Sequence, residues 1–219
     1  MDCGLITLPL GPLESNMYII TGPSGVFVID PSVSPEAAEG YCKMPGLASG
    51  ECPVKAVLLT HGHHDHIKYI DSWISSYPDA SVYFSSNDRE LIKNSFMNCS
   101  YMEGSERSYD FKFSDLAGTY GQNTYKDDSI EIRTFETPGH TMGSVCFLVN
   151  LSGEEMLFTG DTVFRGSVGR TDMPGGSSRM LAESIRRIAK FDPDLKIYPG
   201  HGPESTIGYE IRFNPFFSL

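Results

Sequence analysis

The sequence predicts a mixed protein in which strands form inner sheet layers and helices pack against them. Two observations carry this. Short apolar runs repeatedly end in a tight turn followed by a histidine or an aspartate, and stretches with apolar residues at helical spacing lie between them. Residues 54–59 run into His61, residues 130–136 into Thr137-Pro138-Gly139-His140, residues 155–159 into Gly160-Asp161, and residues 195–198 into Pro199-Gly200-His201. Strands separated by helices arrange themselves as sheet layers with helices outside. Reactive side chains gathered just past strand ends follow the usual logic of a loop-borne site on a rigid scaffold.

Taken in order, residues 5–10, 16–21 and 25–30 are rich in Ile, Val, Phe and Tyr and read as strands of an antiparallel start. Gly11-Pro12 and Gly22-Pro23-Ser24-Gly25 supply the turns between them. Residues 35–42 form a short helix, residues 44–53 a loop, and residues 54–59 a buried strand that delivers the histidine motif. After His66, the spacing of Ile67, Ile70, Trp73, Ile74 and Tyr77 predicts a helix that the motif caps and that stops before Pro78. Trp73 and Tyr77 are assigned to the core. Residues 81–84 read as a strand, and Asn87 or Asp88 caps a helix through Phe96. Residues 98–125 are polar with weak periodicity, a long excursion toward the pocket. A helix starts near Ser177 or Ser178, with Met180, Leu181, Ile185, Ile188 and Ala189 on one face and Glu183, Arg186, Arg187 and Lys190 on the other. No linker or low-complexity tract divides the chain, so one domain over residues 1–219 is expected.

The balance of residues excludes some functions. At 219 residues and 40% hydrophobic content the chain can bury a full core. A net charge of -11 and a pI near 4.9 argue against broad nucleic-acid or anionic-membrane binding, which needs a basic face. The N-terminal stretch lacks a signal-peptide pattern and no apolar run is long enough to span a bilayer, so a cytoplasmic protein is expected. Cys3, Cys42, Cys52, Cys99 and Cys146 are odd in number and scattered, which suits small core fillers rather than a disulfide framework.

Thr60-His61-Gly62-His63-His64-Asp65-His66 holds four of the six histidines. With the strand-end residues it gives seven candidate metal ligands: His61, His63, Asp65, His66, His140, Asp161 and His201. A catalytic zinc takes three protein ligands and keeps one position for water, so seven divide into three, three and one shared carboxylate. A bridged pair of divalent ions follows. Imidazole and carboxylate suit zinc, and also iron or manganese. His64 is expected to point away from the ions, to solvent or to a hydrogen bond behind the ligands, and Thr60 and Thr141 are candidates for orienting the ligands.

HxHxDH followed by PGHT, GD and PGH resembles the metallo-β-lactamase superfamily, over nearly the whole chain. The resemblance implies an α+β fold, a four-layer αββα sandwich with the metals at one edge between two sheets. It also implies that His61, His63 and His140 hold one ion, that Asp65, His66 and His201 hold the other, and that Asp161 bridges. Phe164-Arg165-Gly166-Ser167-Val168-Gly169-Arg170-Thr171-Asp172-Met173-Pro174-Gly175-Gly176 is similar to single-domain relatives of glyoxalase II, as are Pro199-Gly200-His201-Gly202-Pro203 and Asn214-Pro215-Phe216. Those relatives are thioesterases acting on hydroxyacylglutathione. Hydrolysis of S-lactoylglutathione or a similar small thioester is therefore implied; two divalent ions, Zn²⁺ ahead of iron or manganese, are the expected cofactors, and from the charge balance no nucleic-acid or membrane partner is expected, in a monomer or homodimer. The C-terminal helical domain by which full-length glyoxalase II grips glutathione is not expected here, because the sequence ends at Leu219. Arg170 falls where the family places a basic residue near the glycine carboxylate, and Arg165, Arg170 and Arg179 offer positive charge to an anionic substrate. Lys68-Tyr69 stands where many relatives have small residues, narrowing the pocket.

The expected chemistry is attack by hydroxide, since water held between dications is acidified to a pKa of about 7. Asp161 keeps the ions at bridging distance and Asp65 orients the nucleophile. A thiolate whose conjugate acid has a pKa of roughly 8.5 leaves without a general acid. The closest rival is a glutathione-persulfide dioxygenase, which has this fold and a similar GRTD segment and uses one iron on residues matching His63, His140 and Asp161. A phosphodiesterase or nuclease also suits two metals, and a β-lactamase would normally carry a secretion signal.

Overall fold

The computed structural model describes residues 3–11 and 13–218, so the proline of the expected Gly11-Pro12 turn lies outside the described residues, as do Met1, Asp2 and Leu219. Two six-stranded sheets face each other. The first contains β1 (Gly4–Leu10), β2 (Ser15–Gly22), β3 (Gly25–Ile29), β4 (Val54–Leu58), β5 (Ser81–Phe84) and β6 (Ser114–Asp115), in that order across the sheet. β1 to β3 pair antiparallel and β3 to β6 parallel.

The second sheet holds β7 (Asn123–Lys126), β8 (Ile130–Glu136), β9 (Val145–Leu151) and β10 (Glu154–Gly160), with β13 (Lys196–Pro199) and β14 (Ser205–Thr206) at its far edge; β11 (Val163–Phe164) and β12 (Ser167–Val168) form a separate hairpin. Its pairs are antiparallel except β10 with β13. The helices are α1 (Pro35–Cys42), α2 (His64–Ile67), α3 (Ile70–Ser76), α4 (Arg89–Ile92), α5 (Ser178–Ile188) and α6 (Ile207–Phe213).

Strand alternation sorts the apolar side chains into three layers. Along β2, Met17 and Ile19 turn outward to pack with Val57, Trp73 and Leu91, while Tyr18 and Ile20 turn inward. Between the sheets, Phe27 and Leu58 meet Phe147, Val149 and Phe158. On the outer face of the second sheet, Cys146, Leu148 and Leu157 pack with Leu181, Ile185 and Ile188 of α5. Both faces of the central strands are buried, which is why they read as continuous apolar runs. The result is the expected αββα sandwich. Trp73 and Tyr77 are core residues, and the Trp73 indole N–H donates to the Val33 carbonyl at 2.8 Å. α5 starts where expected, at Ser178, and is capped by the Ser177 hydroxyl accepting the Met180 N–H.

Several expectations are corrected. The helix expected after His66 begins earlier, at His64, and is broken at Lys68 and Tyr69 into α2 and α3. The Tyr69 N–H donates instead to the Pro31 carbonyl at 3.1 Å, so the turn ties the motif to the end of the first sheet's third strand. The helix expected through Phe96 stops at Ile92, and the Asp88 side chain makes no cap hydrogen bond. Residues 98–125 hold a 3-10 turn (Ser100–Glu103) and two short strands, β6 and β7. β9 and α6 were not expected. All five cysteines are free, and Cys52 and Cys146 are buried. No described helix is long and apolar enough to cross a membrane.

Candidate metal centre

β3, β4, β8, β10 and β13 all end at one edge of the sandwich, and the residues after them converge there. Backbone bonds lock the two sheets together at that edge: the Val145 N–H donates to the Thr60 carbonyl at 2.8 Å and the Asn16 N–H to the Gly200 carbonyl at 2.7 Å. All seven sequence-predicted ligands are brought together.

They fall into two sets, and a third group of possible donors, Asp30, His61 and His66, links them. One potential ligand atom from each of His61, His63 and His140 lies within 4.8 Å of the others, and the same holds for Asp65, His66 and His201. Asp161 sits between the sets. Its Oδ1 is 3.3 Å from His66 Nε2, while its Oδ2 is 3.4 Å from His140 Nε2 and 3.6 Å from His201 Nε2. Asp65 Oδ2 lies 3.4 Å from His66 Nε2 and 3.3 Å from His201 Nε2, and it accepts the Ser15 hydroxyl at 2.6 Å.

The donor atoms fit divalent cations. His63 Nδ1 faces His140 Nε2 at 2.9 Å and His66 Nε2 faces His201 Nε2 at 3.2 Å, so imidazole nitrogens are aimed at one another across the cluster. His61 Nε2 and Asp161 Oδ1 are buried without a hydrogen-bond partner. Burial first, and then the neighbouring imidazoles, push His61 well down; His63 is lowered to about 3, by burial and then by His140. Both rings are held neutral, the form that binds metal. Burial also disfavours the charged forms of His66 and Asp161, but the Asp65 carboxylate and then Asp161 raise His66 well above its ordinary value, and His66 lowers Asp161 to about 2. The backbone leaves room for this crowding: a Cβ on Gly200 would fall 2.1 Å from Asp161 Oδ1 and 2.7 Å from His66 Cε1.

Supporting residues fix the candidate ligands. Thr60 Oγ1 is 3.0 Å from His61 Nδ1, as expected of an orienting residue. Thr141 does not contact a candidate ligand in this way; its hydroxyl donates to Asp88 Oδ2 at 2.7 Å. Asp88 also accepts the N–H groups of Gly62 at 3.0 Å and Gly143 at 2.6 Å. Asp30, for which the sequence offered no role, is buried with φ +52° at the end of β3. Its carboxylate accepts the Thr60 N–H at 2.8 Å and the Thr60 hydroxyl at 2.6 Å, and lies 3.0 Å from His66 Nδ1. His140 Nδ1 is 2.8 Å from the Arg170 carbonyl.

His64 does point away from the cluster, but it is buried rather than exposed: its Nδ1 is 2.5 Å from the Tyr109 hydroxyl. The three arginines expected to offer positive charge are each engaged. Arg165 lies 4.7 Å above the Tyr209 ring, Arg170 pairs with Asp172, and Arg179 pairs with Glu183.

A cleft of about 450 Å³ opens over the cluster, lined in part by His63, Asp65, His140, Asp161 and His201. A sequence profile of the Metallo-beta-lactamase superfamily matches residues 10–201. The chain belongs to the metallo-β-lactamase superfamily. It is 30% identical over 204 residues to a probable metallo-hydrolase of Streptococcus pyogenes serotype M6, covering 92% of this chain and 85% of that one. The crystal structure of the BLEG-1 B3 metallo-β-lactamase superposes with a TM-score of 0.84 at 29% identity, covering 99% of this chain and 100% of the other. TTHA1623, crystallised in a di-iron-bound form, superposes with a TM-score of 0.78 at 29% identity, covering 97% and 99%. Superfamily membership and the His/Asp cluster support divalent metal binding and metal-dependent hydrolysis.

Proposed function

We propose that this metallo-β-lactamase superfamily member hydrolyses small thioesters, using two divalent ions with zinc as the expected metal. In this reading His61, His63 and His140 hold one ion and Asp65, His66 and His201 the other. Asp161 is shared. The observation that carries the reading is the position of Asp161, whose carboxylate oxygens lie 3.3 Å from one set's His66 and 3.4 Å from the other set's His140. Iron remains an alternative, supported by the likeness to TTHA1623 in its di-iron-bound form.

When bound, such ions acidify water and polarise a carbonyl oxygen. The chain's own residues do the rest. Asp65, held by the Ser15 hydroxyl, would accept a hydrogen bond from the attacking water and so orient it. Thr60 and Asp30 fix the rings of His61 and His66. A thiolate leaves without protonation, so no general acid is asked of the cleft. A hydroxyacylglutathione is the substrate class that the glyoxalase II resemblance offers, with Arg170 as the residue near its glycine carboxylate.

Hydrolysis of a β-lactam is a second reading, supported by the likeness to BLEG-1; it differs in releasing an amine, which needs a proton. The deciding assay follows loss of thioester absorbance, nitrocefin colour and persulfide-dependent oxygen uptake with zinc-, iron- and manganese-loaded protein. Thioester turnover at kcat/KM of about 10⁴ M⁻¹s⁻¹ or more is expected. Oxygen uptake without thioester loss would replace hydrolysis by oxygenation at the same residues.

A further inference from the structure

The walls of the cleft are apolar where the floor is not. Leu13 and Met102 are 54% and 61% exposed at its mouth, and Phe164, Val168 and Met173 are half-buried along it. Exposed apolar side chains gathered around a polar floor mark a binding surface for an apolar group.

Charge at the mouth is cancelled. Among the described residues lining the cleft, Arg170 is the sole lysine or arginine. Its Nε donates to Asp172 Oδ1 at 2.7 Å and its Nη2 to Asp172 Oδ2 at 2.8 Å, so one of the two forks of the guanidinium is already on a carboxylate and its charge is offset. The arrangement is held from the backbone, because the Arg170 carbonyl meets His140 Nδ1. Glu103, which also lines the cleft, is paired with Lys68 at 2.5 Å. A carboxylate arriving at the Nε/Nη2 edge must displace Asp172, and one arriving at Nη1 sits beside the Asp172 charge, which already offsets that of the guanidinium. The ion pair itself is exposed and weak as a source of stability; its effect is on which ligands are admitted.

We infer that the cleft selects thioesters of an uncharged thiol with an apolar acyl group, and that the Arg170–Asp172 pair disfavours carriers such as glutathione that present carboxylates. This rests on the thioesterase reading above and sets a neutral carrier in place of the hydroxyacylglutathione that the glyoxalase II resemblance offers. Asp172 is a specificity-determining residue in this account. Lengthening the acyl chain raises kcat/KM about fourfold per methylene until the apolar wall is covered.

The test compares S-hexanoyl-N-acetylcysteamine with S-hexanoylglutathione on the metal-loaded enzyme, wild type and Asp172→Ala. The neutral ester is expected to have a kcat/KM at least about tenfold higher, and Asp172→Ala, by releasing Arg170, to shift the ratio about tenfold toward the glutathione ester. A wild-type preference for the glutathione ester, or a ratio unmoved by Asp172→Ala, overturns the inference while leaving thioester hydrolysis standing. Calorimetry with the non-hydrolysable S-hexyl-N-acetylcysteamine and S-hexylglutathione separates the two readings. If neither thioester is turned over yet the neutral thioether binds more tightly and the preference responds to Asp172→Ala, the reaction is wrong and the specificity right.

Discussion

The Asp88 carboxylate accepts the Thr141 hydroxyl at 2.7 Å, joining the loop that carries His140 to the one that carries His61 and His63. Burial pushes the Asp88 carboxyl up, while Thr141 and the N–H groups of Gly143 and Gly62 pull the other way. Asp88→Ala leaves two backbone N–H groups without an acceptor, at about 1–3 kcal/mol for each buried donor. We expect urea unfolding to show a loss of about 2–5 kcal/mol, within the range of a broken buried network. An unchanged midpoint would show that the two loops hold their places without this cross-link.

Asp88 also shows where sequence reading stops. A short carboxylate before an apolar run is the signal for a helix cap, and nothing local distinguishes that from a side chain turned back across the fold. Asp30 was missed for the same reason, since its partners Thr60 and His66 are distant in sequence and it merely ended an apolar strand. The candidate ligands were legible because HxHxDH places four of them within six residues and each of the others follows an apolar strand. β9 is an apolar run of the same kind, and it was not expected because no candidate ligand follows it. The break at Lys68 and Tyr69 was invisible because apolar spacing continued across it.

Asp30 is predicted to tune metal affinity through His66. The carboxylate lies 3.0 Å from His66 Nδ1 and fixes which way the ring faces. Replacing it with asparagine puts an amide where a charge supports the ring, and changes at such supporting positions typically cost 10–100-fold in affinity, roughly. Chelator competition on Asp30→Asn should show a loss of that size. Affinity equal to wild type would assign Asp30 to holding Thr60 alone.

His64 is predicted to matter for stability and not for metal content. Its ring is bonded to Tyr109, a residue 1% exposed, so His64→Ala strands a buried hydroxyl at a cost of about 1–3 kcal/mol. A double-mutant cycle with Tyr109→Phe should return a coupling of about 0.5–3 kcal/mol, as for residues in direct contact. Metal analysis of both single variants should match wild type; metal loss in His64→Ala would make its ring part of the centre.

The turn at residues 199–203 separates two reasons for a glycine. At Gly200 the reason is space, since a Cβ there would sit 2.1 Å from Asp161 Oδ1 and 2.7 Å from His66 Cε1. At Gly202 the reason is conformation, since φ is +76° and nothing lies within 4 Å of an added Cβ. Gly202→Ala should therefore cost about 1–2 kcal/mol of backbone strain and retain full metal content. Gly200→Ala should displace Asp161 or His66 and lower metal content by half or more. Elemental analysis and thermal melting of the two variants, side by side, test this. Equal metal loss in both would mean that the path of the turn, and not the close approach of its backbone to Asp161, sets the geometry of the centre.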